Sequence, residues 1–267
     1  MDAKFVDATG ASPTEPTAGS GGARPRVPEG ATPKTDGPPP RRVLLRIGEG
    51  AAVLGAALSV AAGAAFGNRT AGAEAVPLLD YLAALPIWSW PAVQLGFAAG
   101  AVLWLAAFVA LAEALEDGLA RDIGRLAVAA IAVGAAVHLV DSVVSGGALP
   151  PLAHAWAVTP AAARPVLVQQ ADTVLAVLGA TWAGVVTFFH GVPFVLAGSA
   201  VVVSRVYPGS FAAGGLMFLD LGLLPPWLFI PFAVAVSLWT AAMGFLMWLR
   251  SGRPRLASPT EALNRVP

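Results

Sequence analysis

Cysteine is absent from all 267 residues, which excludes disulfides, thiolate metal sites and cysteine nucleophiles. Charge is scarce too: Asp, Glu, Lys and Arg make up 12% of the chain, with 16 basic and 16 acidic residues and no formal net charge. A chain so balanced has no electrostatic footprint for a nucleic acid or for a strongly acidic partner. Catalytic signatures are missing as well. There is no G-x-x-x-x-G-K-S/T phosphate loop and no H-E-x-x-H. Ser199 in Gly198-Ser199-Ala200 and Ser145 in Ser145-Gly146-Gly147 each lack the glycine pattern of an intramembrane serine protease. The reading therefore leans away from an enzyme.

What remains is apolar. Hydrophobic residues account for 57% of the chain and the mean hydropathy is +0.71, values that point to a polytopic membrane protein of all-α class. Abundant Ala, Gly and Arg resemble the usage of a GC-rich bacterium, which suggests a bacterial plasma membrane, the cell inner membrane. A bilayer core takes about 20 apolar residues per helix. The longest qualifying stretch is 171–204, where Asp172 is the one carboxylate and the centre reads Phe188-Phe189-His190-Gly191-Val192-Pro193.

Six spans follow from the apolar runs, at about 43–66, 91–115, 123–145, 171–204, 209–224 and 227–249. Together they form a membrane domain over 42–250. Residues 1–41 are rich in Pro, Gly, Ala and Thr and bury too little to offset ordering entropy, so a disordered cytoplasmic tail is predicted. Residues 251–267 form a second, short cytoplasmic tail. Pro150, Pro151 and their neighbours predict an external loop over 146–168.

Orientation comes from the arginines. Arg41, Arg42, Arg46, Arg121, Arg125, Arg205, Arg250, Arg253 and Arg255 fall on one side of the six-span scheme, and Arg69 and Arg164 on the other. The positive-inside rule then places both termini in the cytoplasm.

Counting from these anchors at about 1.5 Å per residue brings His138, Asp141, His190 and Asp220 into one slab near the middle of the membrane. Gly134, His138, Asp141 and Ser145 share one face of the third span. Pro193 removes the amide that would bond the Phe189 carbonyl, so a kink is expected beside His190. Ionisable groups at such depth are costly and are candidates for function. Four uses are open. The layer fixes helix packing, or the four residues bind a divalent metal as in a membrane metalloenzyme. Alternatively, His138 and His190 ligate a haem as in a b-type cytochrome, or the buried groups carry protons for a small-solute transporter.

Close helix packing is signalled by Gly96 and Gly100, and by Gly184, Gly191 and Gly198 at seven-residue spacing, surfaces suited to a homo-oligomer or a membrane complex as well as to the chain itself. The run from Gly191 through Gly198-Ser199-Ala200 to Arg205-Val206-Tyr207-Pro208, followed by a short span, Pro225-Pro226-Trp227 and a last helix, resembles the C-terminal half of uncharacterised six-span bacterial membrane proteins grouped under domains of unknown function. That family's Trp-x-Gly after the turn is Trp227-Leu228-Phe229 here. The resemblance implies topology and no activity, leaving a structural or solute-handling role as the reading.

Overall fold

The computed structural model describes residues 40–66, 74–115, 118–205, 207–216, 218 and 226–251. The two tails inferred above, apart from the residues next to the membrane domain, lie outside them. Every element among the described residues is helical: α1 (Pro40–Phe66), α2 (Ala75–Ala83), α3 (Ser89–Ala114), α4 (Leu119–Val158), a 3₁₀ turn (Ala161–Ala163), α5 (Arg164–Val185), a π-helical turn (Val186–Gly191), α6 (Val192–Ser204), α7 (Gly209–Leu216) and α8 (Pro226–Ser251). Five stretches are long and apolar enough to cross a membrane: Val43–Ala65, Ser89–Ala114, Leu119–Val158, Ala161–Ser204 and Pro231–Arg250. They mark a multi-pass helical membrane protein.

Small residues set the bundle, because lipid offers apolar side chains no reason to leave it and close backbone packing supplies the attraction instead. α1 and α3 run antiparallel through such contacts. A Cβ on Gly48 would collide with Ala110, one on Gly100 would lie 2.7 Å from Ser59 Oγ, and Gly96 rests on Ala62 at 3.4 Å. α8 returns along α1, with Gly244 against the Glu49 carbonyl at 2.9 Å and Met247 beside Gly48. The C-terminal end of α8 and the N-terminal end of α1 therefore share one end of the bundle. α3 closes and α4 opens at that same end, where Gly124 packs on Ala112 and Arg121 donates to the Leu115 carbonyl at 3.2 Å. α6 also finishes there, and Arg250 lies 5.4 Å over the Tyr207 ring. Arg46, Arg121, Arg125, Arg205 and Arg250 thus gather at what we call the Arg-rich end.

The expected bounds of the third and fourth spans need correction. The third span was placed at 123–145 with a loop over 146–168, but α4 continues unbroken from Leu119 to Val158 with Pro150 and Pro151 inside it. At about 1.5 Å per residue a 40-residue helix is about 60 Å long, twice the hydrocarbon thickness. Its second half stays helical because it has a core of its own. Leu149, Ala153 and Trp156 pack with Leu78, Leu79 and Leu82 of α2, Trp90 of α3 and Ala171 and Leu178 of α5. Trp156 Nε1 donates to Asp80 Oδ1 at 2.7 Å, and the Arg164 guanidinium sits 4.6 Å over the Trp156 ring. This cap lies at the end opposite the arginines. Burial there outweighs the two lost helix hydrogen bonds.

Of the fifth span, placed at 209–224, the described residues show a helix over Gly209–Leu216, and most of the rest lies outside them. α7 packs from the Arg-rich end along α6, with Gly215 against Gly198 Cα and the Phe194 carbonyl, both at 2.9 Å from where its Cβ would stand. Trp239 of α8 stacks on Phe211 at 4.6 Å and donates to its carbonyl at 3.0 Å.

The fourth span, 171–204, begins earlier, at Arg164, and is interrupted where the sequence predicts a kink. The widened turn Val186–Gly191 ends with the Val192 amide donating to the Thr187 carbonyl, five residues back. Pro193 cannot donate to Phe189, and the chain accommodates that loss by widening one turn. The extra residue also rotates the glycine seam. Gly184 faces Val137 of α4, Gly191 is buried, and Gly198 faces Gly215 of α7. Together with Gly96 and Gly100, these glycines find neighbours inside the chain.

Candidate functional site

The polar stripe of α4 turns inward along its whole length. Gly134 meets the Phe188 carbonyl so closely that a Cβ there would overlap it. Asp141 Oδ1 accepts from Thr181 Oγ1 of α5 at 2.8 Å, and Ser145 Oγ accepts from Trp90 Nε1 of α3 at 3.2 Å. Between them His138 projects into an aromatic box.

Phe189 is the centre of that box. Its ring stacks on His138 at 4.9 Å and on Trp104 at 5.1 Å, with an interplanar angle of 15° in both cases. His190 stands edge-on to all three, 4.8 Å from Phe189, 5.9 Å from Trp104 and 6.3 Å from His138. Phe97 of α3 closes the outer side, 5.8 Å from His138. Toward the Arg-rich end lie Phe194, in contact with Trp104, and Phe108. Trp104 is 0% exposed and His190 7%.

The π-helical turn positions this site. By widening between Val186 and Gly191 it puts the Phe188 carbonyl against Gly134, sends the Phe188 side chain outward and leaves both Phe189 and His190 buried. A regular helix would set consecutive side chains about 100° apart and could turn only one of them fully inward.

Few polar partners reach the box. His138 Nδ1 and Trp104 Nε1 are buried and have no hydrogen-bond partner among the described residues. No known family, curated protein or solved structure matches the chain. The chemistry of the site must therefore be argued from its own atoms.

Of the four residues singled out by depth, the structure brings His138 and His190 together. Asp141 sits one turn away on α4 and is engaged by Thr181 rather than by His138. Asp220 lies outside the described residues. Among the described residues no three His, Asp or Glu side chains converge as metal ligands. A bis-imidazole haem needs a porphyrin plane between its two rings, yet here Phe189 lies against both imidazoles, and Gly134 and Phe188 are in backbone contact within a turn of each. The residues present do not fit that group.

Sequence reasoning missed Trp104, Phe189, Phe97, Thr181 and Ser142. Two signals were available. Trp104 is a tryptophan in mid-span rather than at an interface, where the residue usually concentrates, and Ser142 follows His138 by four residues on one helical face.

Proposed function

We propose that this is a six-crossing protein of a bacterial plasma membrane, both termini cytoplasmic, with a solute-handling role in which the His138–His190 pair exchanges protons inside the membrane. The supporting observation is the meeting of the two imidazoles at 6.3 Å inside the bundle, with His138 Nδ1 buried and unpartnered among the described residues. A layer built only for packing has no use for such an atom, since burying a polar group without a partner costs stability that phenylalanine would not. The π-helical turn at His190 favours the same reading, because such turns are frequent at functional sites.

Six crossings and the cytoplasmic Arg-rich end are supported by the shared end of α1 and α8. α7 starts at that end, and α8 must begin at the other to return to it. That arrangement fits an even number of crossings, and the positive-inside rule sets its sense.

The test is made on detergent-purified protein, by absorption spectrum and elemental analysis, and on proteoliposomes carrying an internal pH dye under an imposed potential. The expected result is protein free of haem and metal, a proton flux, and loss of that flux in His138→Phe and His190→Phe, which retain ring stacking. A Soret band or stoichiometric metal lost in His138→Ala and His190→Ala would replace this reading with a cofactor site. Absence of flux, with His138→Phe melting like the parent, would reduce the layer to packing.

A further inference from the structure

Ser142 is a buried polar group that none of these contacts uses. It is 3% exposed, and its Oγ has no hydrogen-bond partner among the described residues. Serine and threonine in apolar helices ordinarily donate to the carbonyl one turn back. Others in this bundle do so: Ser199 to Val195 at 2.8 Å, Ser237 to Ala233 at 2.8 Å and Thr240 to Val236 at 2.9 Å. Ser142 has the His138 carbonyl in the equivalent place and does not take it.

His138, Ser142 and Ser145 recur at i, i+4 and i+7, so they line one face of α4. Opposite them on α3 stand Phe97 at the level of His138, the buried Gln94 beside Gly146, and Trp90 bonded to Ser145. The face runs from the cap to the imidazole pair and ends at the apolar block of Trp104, Phe108 and Phe194. A hydroxyl and an imidazole nitrogen one turn apart, about 5–6 Å at Cβ, both buried and without a hydrogen-bond partner among the described residues, are matched by water as the bridging ligand. Water settles where two to four polar partners converge.

We infer that a file of water runs along this face from Ser145 past Ser142 to His138 Nδ1, and that it admits protons to the imidazole pair from the end opposite the arginines. The inference rests on the proton-exchange reading above. The relay is neutral in sum. Each water takes one proton and passes on another, and a proton accepted at Nδ1 is matched by one released from the other nitrogen of the ring, which leaves the imidazole neutral in its other tautomer until a flip of the ring resets it for the next proton.

The cysteine-free chain permits a direct test with silver ion, which is small, enters water-filled paths and reacts with thiols. Ser145→Cys, Ser142→Cys and Gln94→Cys are compared with Ala197→Cys, buried in the apolar half, with silver added to either side of sealed vesicles. Three positions are used so that loss of fold at one leaves the question answerable. The expected result is modification at least tenfold faster than at Ala197→Cys, from the side opposite the Arg-rich end only. Modification from the Arg-rich side alone, or no faster than at Ala197→Cys from either side, overturns the water file. Both imidazoles remain in every variant, so that failure is separate from the fate of the imidazole pair, which stands or falls on the spectra and the flux.

Discussion

The rings of His138 and His190 meet at 6.3 Å although their backbones are not level. Gly134 opposite Phe188 and Asp141 opposite Thr181 define the antiparallel register of α4 against α5 and the π-helical turn. In that register His138 lies a turn toward the cap and His190 half a turn toward the arginines, an offset of about 9 Å. Helical side chains lean toward the N-terminus of their own helix. In antiparallel neighbours the two leans oppose each other and close the gap. The register therefore controls the pair, and it is held by Gly134 and by the Thr181 hydroxyl.

Gly134→Ala is expected to be severe. Its methyl would occupy the space of the Phe188 carbonyl, a backbone group inside a packed turn that cannot rotate away, and such overpacking costs about 1–3 kcal/mol. Gly184→Ala is the control, since a Cβ there meets Val137 Cγ1 at an ordinary 3.5 Å. Thermal melts in detergent should show a large fall for the first and almost none for the second. Similar melts for the two would refute the backbone contact.

Thr181→Val keeps the shape of the side chain and removes the donor to Asp141. Interhelical hydrogen bonds in membranes average about 0.6 kcal/mol and reach about 1.7, which sets the scale of the expected loss. Thr181→Ser should restore most of the loss, since it keeps the hydroxyl. If serine is no better than valine in the melt, the hydroxyl is not what holds Asp141.

The cap should open without the bundle, because its core of α2, α4 and α5 residues is separate from that of the spans. Asp80→Ala removes the acceptor of Trp156 Nε1, whereas Asp80→Asn retains an oxygen. Asp80 is solvent-exposed, so the effect is held to about 1 kcal/mol, which accelerates amide exchange in Ala75–Ala83 about fivefold. The asparagine variant should exchange nearly like the parent, and exchange in Val43–Ala65 should be unchanged in both. Acceleration spread evenly over both regions would mean one cooperative unit.

How much was legible depended on whether local rules or tertiary packing decided each element. The ends of α1 and α3 follow apolar runs bounded by Arg41-Arg42 and by Trp88-Ser89-Trp90-Pro91, and the reading of 43–66 and 91–115 lies within three residues of both helices. Gly146-Gly147 and Pro150-Pro151 are local breakers, yet α4 runs through them because Leu149 and Trp156 have α2 and α5 to pack on, and α2 is distant in the chain. Pro193 did mark the disturbance beside His190, but whether a helix kinks or widens at such a point is decided by what presses against it, here Gly134. Depth counting set His138 and Asp141 one turn apart along α4 and could not see that Thr181 would claim the carboxylate.

The number of crossings can be decided by parity. With six crossings, as proposed above, both termini share the Arg-rich side. With five crossings they would lie on opposite sides. The pairing of Gly48 with Met247 and of Gly244 with Glu49 sets the N-terminal end of α1 beside the C-terminal end of α8, the arrangement that an even number gives. Reporter fusions after residue 251 should therefore give a fluorescent cytoplasmic protein and an inactive alkaline phosphatase, and the same result should hold for fusions before residue 40. Active phosphatase at the C-terminus with a cytoplasmic N-terminus would demand that α8 run parallel to α1, and then neither glycine contact could form.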